Sequence, residues 1–291
     1  MREAIVSIVH SDPHDLGFLS SRWTLGELRE LLQWQRPITL PGLWRLLARL
    51  GITWKRGRDY LISPDPDYRA KCDYIAEIER EAKDSAGEIV ALYLDEMSFY
   101  RQPSLSYGYD DAVHQPLAYR SYKSNSLSRV IAAIDITSGL VIYHQRPAIN
   151  IQEEVSFYQE VRMHYPLAET IYVMLDNWPL HLHPNVLVAL EEQKSPWVWY
   201  HPKNWRTEPS DWAQKRYGEL ELPIQLISLP TYAPWTNPIE KLWRKLRQEV
   251  LHLHRYADDF ATLKRLVIEF LDRFAHGSDE LLRYVGLLTP D

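Results

Sequence analysis

Two short apolar runs, each ending in an aspartate, constrain this chain more than any other feature. Ile89-Val-Ala-Leu-Tyr-Leu-Asp95 and Thr170-Ile-Tyr-Val-Met-Leu-Asp176 are rich in β-branched and aromatic residues and carry no charge before the last position. Such runs read as strands buried on both faces, the habit of parallel strands covered by helices. An α/β sheet is therefore expected, with each aspartate at the C-terminal end of its strand, where open α/β sheets hold their ligands. Taken singly, either aspartate would also suit a helix N-cap or a turn.

A third stretch, Leu229-Pro-Thr-Tyr-Ala-Pro-Trp-Thr-Asn-Pro-Ile-Glu-Lys-Leu-Trp243, opens with turn residues and then signals a helix start. Asn237 is placed to cap it, and Pro238 suits the first helical position, where its missing N–H costs nothing. Ile239, Leu242, Trp243, Leu246, Val250 and Leu251 keep a 3.6-residue period, and the helix is expected to run to about His254. Glu240 falls in its first turn, with Arg244 and Arg247 on the same face. Alone, Glu240 is explained by the helix dipole. With the two strand-end aspartates it makes three carboxylates drawn from distant parts of the chain. Clustered carboxylates repel one another unless cations sit between them, and hard oxygen ligands select magnesium or manganese. Two such ions roughly 3.5–4 Å apart clamp the attacking and leaving oxygens of a phosphoryl displacement, so phosphodiester chemistry is the natural use.

Asp95-Glu96, then Asp176-Asn177-Trp-Pro-Leu-His181, then the run through Asn237-Pro238-Ile239-Glu240-Lys-Leu-Trp243 resemble the three signature blocks of the DDE transposases. More narrowly, they are similar to the bacterial insertion-sequence branch of the mariner superfamily. The third block is the most specific, being long and ordered, and the resemblance covers roughly residues 12 to 288. It implies a ribonuclease-H-like core, a mixed sheet flanked by helices, with Asp95, Asp176 and Glu240 as the metal-binding catalytic triad. It also implies two Mg2+ (or Mn2+) ions, double-stranded DNA with terminal inverted repeats as substrate, a TA dinucleotide as target, and a homodimer or higher assembly on DNA. A histidine occupies the position of His181 in that family, where it contacts DNA or orients a carboxylate; an isolated histidine is as readily structural. Asn177, Asn237 and Arg244 are the other residues expected to line the site.

The net charge of −6 argues against a nucleic-acid partner, but its distribution does not. Residues 1–60 carry nine Lys/Arg and six Asp/Glu, and the five cations Arg45, Arg49, Lys55, Arg56 and Arg58 follow one another without an anion. Residues 1–62 are expected to form a small all-α helix-turn-helix (winged-helix-like) domain. Thr24-Leu-Gly-Glu27 is a capping box, Thr39 caps a second helix, Gly51 stops it, and the segment from Ile52 to Arg58 suits a short wing on phosphates. The plainer reading is a helical hairpin with solvated arginines. Members of the family usually carry two such units, and Pro41 and Gly42 replace polar residues expected at a recognition helix. These residues therefore read as the second of two units, with an upstream DNA-binding segment or partner.

Residues 63–86 are expected to be a linker and helix, and 87–291 the catalytic domain, its first strand over 89–99. Residues 129–135 and 140–144 read as a hairpin turning at Gly139, with Asp135 in the turn rather than among the ligands. Asp110 and Asp111 read as solvated loop residues. His252 and His254 are set aside as ligands because a helix would point them to different faces. Asp176 and Glu240 stand 64 positions apart, more than the resemblance leads one to expect, with extra material at about 194–222. Its tryptophans, among them Trp197, Trp199, Trp205 and Trp212, either pack on their own surface excursion or stack on DNA bases near the cut.

A lone cysteine, Cys72, excludes a disulfide framework and fits a reducing cytoplasm, where a nucleoid-associated protein would act; no apolar run is long enough to span a membrane. The reading is a transposase that hydrolyses phosphodiesters at element ends and transfers the 3′-hydroxyl into target DNA. The alternatives are a ribonuclease-H-like nuclease without strand transfer and an inactive DNA-binding relative.

Overall fold

The computed structural model describes residues 2–32, 37–55, 62–199 and 201–288. They fall into two compact units, Met1–Tyr60 and Leu61–Asp291.

The first unit is helical. α1 (Arg2–His10), α2 (Leu25–Leu31) and α3 (Leu40–Arg49) enclose a small core of Ile5, Trp23, Leu28, Leu43 and Leu47. Both expected caps are present. Thr24 Oγ1 accepts from Glu27 N while Glu27 reaches back to Thr24 N, and Thr39 accepts from Gly42 N. α3 ends at Leu50, and Gly51 takes a left-handed φ of +74° just beyond it. α1 was not anticipated, yet its Ile5 is fully buried, so two amphipathic helices alone do not close this core. The expected wing is not formed among residues 52–55, which are irregular, and Arg56 and Arg58 lie outside the described residues.

The second unit is built on a five-stranded mixed sheet. After α4 (Tyr68–Asp84) come β1 (Ile89–Tyr100), β2 (Leu127–Asp135), β3 (Val141–Arg146), α5 (Ile151–His164) and β4 (Thr170–Leu175). Then follow α6 (Pro184–Leu187), α7 (Asp211–Tyr217), β5 (Ile224–Ser228), α8 (Ile239–Leu246), α9 (Phe260–Asp272) and α10 (Asp279–Val285). The strand order is β3-β2-β1-β4-β5, with the first three antiparallel and β1, β4 and β5 parallel. This is the order and sense of a ribonuclease-H-like sheet.

Alternation along β1 divides the core in two. Ala91, Tyr93, Met97 and Phe99 face α4, α8, α9 and α10, whereas Val90, Leu92 and Leu94 face α5, α6 and α7. The β2–β3 hairpin turns as expected. Asp135 is buried, its Oδ1 accepts from Thr137 N and Ser138 N, and its Oδ2 accepts from the Tyr165 hydroxyl. Both of its oxygens are engaged by the turn and by Tyr165, so it does not join the ligand set. Gly139 has a φ of +68°, and a Cβ there would lie 2.5 Å from the Ser278 carbonyl oxygen.

Two helical expectations need correction. α8 does not continue to His254: it ends at Leu246, passes into a π-helical turn over Arg247–Leu251, and is terminated by Leu253 at a φ of +50°. His252 and His254 are therefore off the helix, and the helical argument against them fails. What removes them from the site is their use elsewhere: His252 Nδ1 meets Ser104 Oγ, and His254 Nδ1 accepts from Tyr256 N. α10 was also unforeseen; it is a seven-residue helix capped by Ser278 that buries Leu281, Leu282 and Val285.

Candidate active site

The parallel pairing of β1 with β4 runs from Ile89 opposite Thr170 to Tyr93 opposite Met174. Carried two residues further, the same register sets Asp95 beside Asp176, on strands about 4.8 Å apart. Asp176 immediately follows β4, as its sequence implied. Asp95 does not end its strand. β1 continues to Tyr100 because residues 92–100 remain paired with β2 after β4 has stopped. Asp95 thus sits where a parallel neighbour ends and an antiparallel one carries on, which opens the sheet on one side of it.

α8 brings the third carboxylate. Asn237 lies one residue before the cap position, which Pro238 holds, so it is not the N-cap. Its side chain still serves the helix start, accepting from Ile239 N at 3.3 Å while its amide donates to the Leu94 carbonyl at 3.1 Å. A buried asparagine thereby ties the first turn of α8, with Glu240 in it, to the β1 residue preceding Asp95. Asn177 plays the matching part at the other strand, donating to the Leu229 carbonyl at 3.0 Å and joining the end of β4 to the end of β5. Both asparagines act as backbone tethers. Trp243, one turn beyond Glu240 and fully buried, donates its indole N–H to Asp95 Oδ2 at 2.9 Å. Arg244 is exposed on α8 and makes no ion pair among the described residues.

The electrostatics report the crowding. Burial pushes the Asp95 carboxyl up to about 7, the charge of Glu240 adds to this and Asp176 contributes less, while the Trp243 N–H pulls the other way. A carboxyl shifted by burial and by two neighbouring carboxylates marks a place where a cation would be welcome. The donors there are hard oxygens, the set that suits magnesium or manganese.

A second, buried cluster lies on the opposite face of β1. Glu96 points away from Asp95, toward His181 of the single helical turn Pro179–Leu182 and Glu154 of α5. His181 Nδ1 hydrogen-bonds Glu154 Oε1, and both side chains are fully buried. His181 Nε2 stands 3.6 Å from Asp176 Oδ1 and 3.8 Å from Glu96 Oε2. Burial opposes charge on the ring, but Glu154 and then Glu96 outweigh it and hold the imidazole well above its ordinary range. Asp176 would likewise be raised by burial, yet its contacts with His181 and with Trp178 N keep it below the usual carboxylate range. Glu154 went unremarked in the sequence. Its signal was there: Glu154, Tyr158 and Val161 follow one inward helical stripe, and a carboxylate on such a stripe needs a partner.

The remaining candidates lie elsewhere. Arg45, Arg49 and Lys55 are exposed in the first unit. Asp110 and Asp111 are exposed in the loop after β1, and Asp111 is occupied by Val113 N, His114 N and the His114 ring. In the Trp-rich stretch, Trp197 packs edge-on against Tyr74 at 5.3 Å and Trp205 lies 4.8 Å from the His183 ring. Trp199 joins the core face shared with α5, and Trp212 is 45% exposed beside Tyr217. All four tryptophans thus have partners among the protein's own side chains, and Trp212 is the exposed one of the four.

Comparison with known proteins matches these features. A family model described as DDE superfamily endonuclease covers residues 90–264, the span of the sheet and its three carboxylates. The insertion element IS630 uncharacterized 39 kDa protein of Shigella sonnei is 21% identical over 263 residues, covering 89% of this chain and 67% of that one. Among solved structures, the Mos1 transposase paired-end complex with left transposon end superposes with a TM-score of 0.59 at 15% identity, over 98% of this chain and 74% of that one. The mariner Mos1 paired-end complex with Mg gives a TM-score of 0.59 at 14% identity, over 98% and 77%. At such identities the structural likeness is one of fold, a ribonuclease-H-like core. The family match spans more than half of the sequence, and the chain belongs to the DDE superfamily endonucleases.

Proposed function

We propose that the chain is a transposase whose catalytic carboxylates are Asp95, Asp176 and Glu240. The observation that carries this reading is their convergence from β1, the end of β4 and the first turn of α8, with the Asp95 carboxyl driven up to about 7 by burial and by Glu240. Such a set fits two divalent ions, magnesium or manganese. When bound, ions of this class supply the charge that draws an oxygen nucleophile onto phosphorus and steadies the departing oxygen. The protein's part is to hold the ligands. Trp243 orients Asp95, Asn237 ties Glu240 to β1, and Asn177 ties the Asp176 strand end to β5.

Two reactions use the same carboxylates. Hydrolysis at an element end breaks the bond from phosphorus to the 3′-oxygen, leaving a 3′-hydroxyl and a 5′-phosphate. Transfer then joins that hydroxyl to a target phosphorus, and the target's own 3′-oxygen leaves. The substrate is duplex DNA with terminal inverted repeats, acted on by a dimer or higher assembly, a reading supported by the fold shared with the Mos1 end complexes. Residues 1–62 form the DNA-binding domain, with Arg45, Arg49 and Lys55 on phosphates, and 87–291 the catalytic domain.

The test is magnesium-dependent cleavage of a labelled duplex carrying the element end, comparing the wild-type chain with Asp176→Ala. Cleavage by the first and none by the folded variant supports the reading. Cleavage that survives in the variant refutes it. A donor with pre-exposed 3′-hydroxyl ends and a target plasmid then separates strand transfer from simple hydrolysis.

A further inference from the structure

The buried cluster behind the carboxylate triad has no part in the reaction as described so far. It contains a fully buried carboxylate, Glu154, and a fully buried imidazole, His181, on the face of the sheet away from Asp95. Placing such groups in a core is costly unless each is paired. Glu154 Oε1 is paired twice, by His181 Nδ1 and by the Tyr158 hydroxyl at 3.1 Å. That fixes the plane of the ring, and the fixed ring has one direction left. Its Nε2, buried and without a hydrogen-bond partner among the described residues, faces Asp176 Oδ1 at 3.6 Å and Glu96 Oε2 at 3.8 Å.

Asp176 needs such help more than Asp95 does. Its side chain is 58% exposed, it lies beyond the last residue of β4, and its one protein hydrogen bond among the described residues runs from Trp178 N to Oδ1. An exposed carboxylate at a strand end samples several rotamers, and ordering it costs entropy whenever it takes a ligand. With Oδ1 engaged by Trp178 N and faced by His181, the rotamer is narrowed and Oδ2 is left for a ligand. Carboxylate–histidine pairs that orient a metal ligand are a general device, and losing the outer partner typically costs about 10- to 100-fold in metal affinity or activity.

We infer that Glu154 and His181 are positioning residues for Asp176: Glu154 on α5 sets the ring of His181, and the ring holds Asp176 Oδ1 so that its other oxygen is presented to a divalent ion. This rests on the assignment of Asp176 as a ligand; of the two roles the resemblance leaves to His181 it takes the orienting one, names the carboxylate oriented, and adds Glu154 as the side chain that sets the ring. Glu96 belongs to the same cluster as the second carboxylate facing Nε2, and its burial across the sheet from Asp95 keeps it from replacing a triad member.

The test reads metal binding directly. Mn2+ titrations of the full chain by calorimetry compare the wild type with Glu154→Gln, His181→Asn and Asp176→Ala, each checked for fold by circular dichroism. The expected result is a roughly tenfold or greater weakening of Mn2+ binding in Glu154→Gln and His181→Asn, with end-DNA affinity by filter binding unchanged and cleavage partly recovered at high metal. Should either variant fail to fold, Tyr158→Phe, which removes one of the two donors to Glu154 Oε1, is expected to weaken Mn2+ binding by a smaller factor. Folded Glu154→Gln with wild-type Mn2+ affinity overturns the inference. So does a stoichiometric transition metal that co-purifies with the wild type and is lost in Glu154→Gln, since the cluster would then be a metal site of its own. If Asp176→Ala leaves Mn2+ binding intact, the assignment of Asp176 fails instead, and the two failures are told apart.

Discussion

Replacing Asp95 by asparagine should stabilise the metal-free protein. In the folded chain burial and Glu240 hold the Asp95 carboxyl at about 7, against an ordinary 3.8. A difference of roughly three units, at about 1.4 kcal/mol each, sets a ceiling near 4 kcal/mol on what the charge costs the fold at neutral pH. Side-chain relaxation and water reaching this half-buried group reduce that to about 2 kcal/mol. The amide of asparagine keeps an oxygen for the Trp243 N–H, so the hydrogen bond survives. For a domain of this size, 2 kcal/mol corresponds to a rise in melting temperature of about 4–8 °C. The pH dependence has a definite sign. The folded chain holds the Asp95 proton more tightly than the unfolded one, so this contribution to stability is fully present below about pH 4. It is lost as pH rises through about 7. Glu96, pushed up to about 8 chiefly by its burial, acts in the same direction, so the comparison must be between the two proteins at each pH. The assay is thermal unfolding followed by circular dichroism in EDTA from pH 4 to 8. The variant should match the wild type near pH 4 and exceed it increasingly toward pH 8, and added Mg2+ should stabilise the wild type more than the variant. A variant that melts at or below the wild-type temperature at pH 8 would refute the claim that these carboxylates crowd one another.

Other perturbations test separate parts of the structure. Gly139→Ala forces a Cβ against the Ser278 carbonyl at a left-handed φ, and a loss of about 2 kcal/mol or more should appear as a lower urea midpoint. Lys71→Met strands the buried Asp65 carboxylate, which also accepts from Thr231 N in the loop leading to α8; about 3 kcal/mol of stability should go, read by chemical denaturation. Trp212→Ala, at an exposed ring, should change stability by less than about 1 kcal/mol, whereas Trp205→Ala, removing the ring against His183, should cost more; equal melting temperatures for the two would contradict the packing described. Arg45→Ala and Arg49→Ala should each weaken DNA binding uniformly across sequences and lower the salt slope by about one, measured by fluorescence titration at several ionic strengths.

What could be read before any coordinates were known was local in origin. Unbroken apolar runs mark β1 and β4 as doubly buried, Thr24 and Thr39 announce helices by their capping chemistry, and the Gly139 turn pairs β2 with β3. Each of these signals sits within a few residues of what it specifies, which is why the sheet, most helices and the three candidate carboxylates were legible. The errors came where a neighbour in space overrides a local rule. α8 closes early in a π-helical turn ended by a left-handed Leu253, whereas β1 runs past Asp95 much as the expected strand over 89–99 does, because β2 keeps pairing with it. α1 and α10 are short helices, nine and seven residues long, held by the cores they cover rather than by their own periodicity.

The sequence by itself determined which residues can be strands and helices, and which three carboxylates they carry as candidates. Only the tertiary structure decided what surrounds those carboxylates. The Trp243–Asp95 hydrogen bond spans 148 positions, Asn237 reaches Leu94 across 143, and Glu154 meets His181 across 27. Adjacent residues of β1 were also sent apart, Asp95 to one face of the sheet and Glu96 to the other. A pleated strand alternates its side chains, but which face becomes the open site and which the buried cluster depends on what packs against each. Hydrogen-bond partners are set by distance and direction in space, and periodicity along the chain carries no record of them.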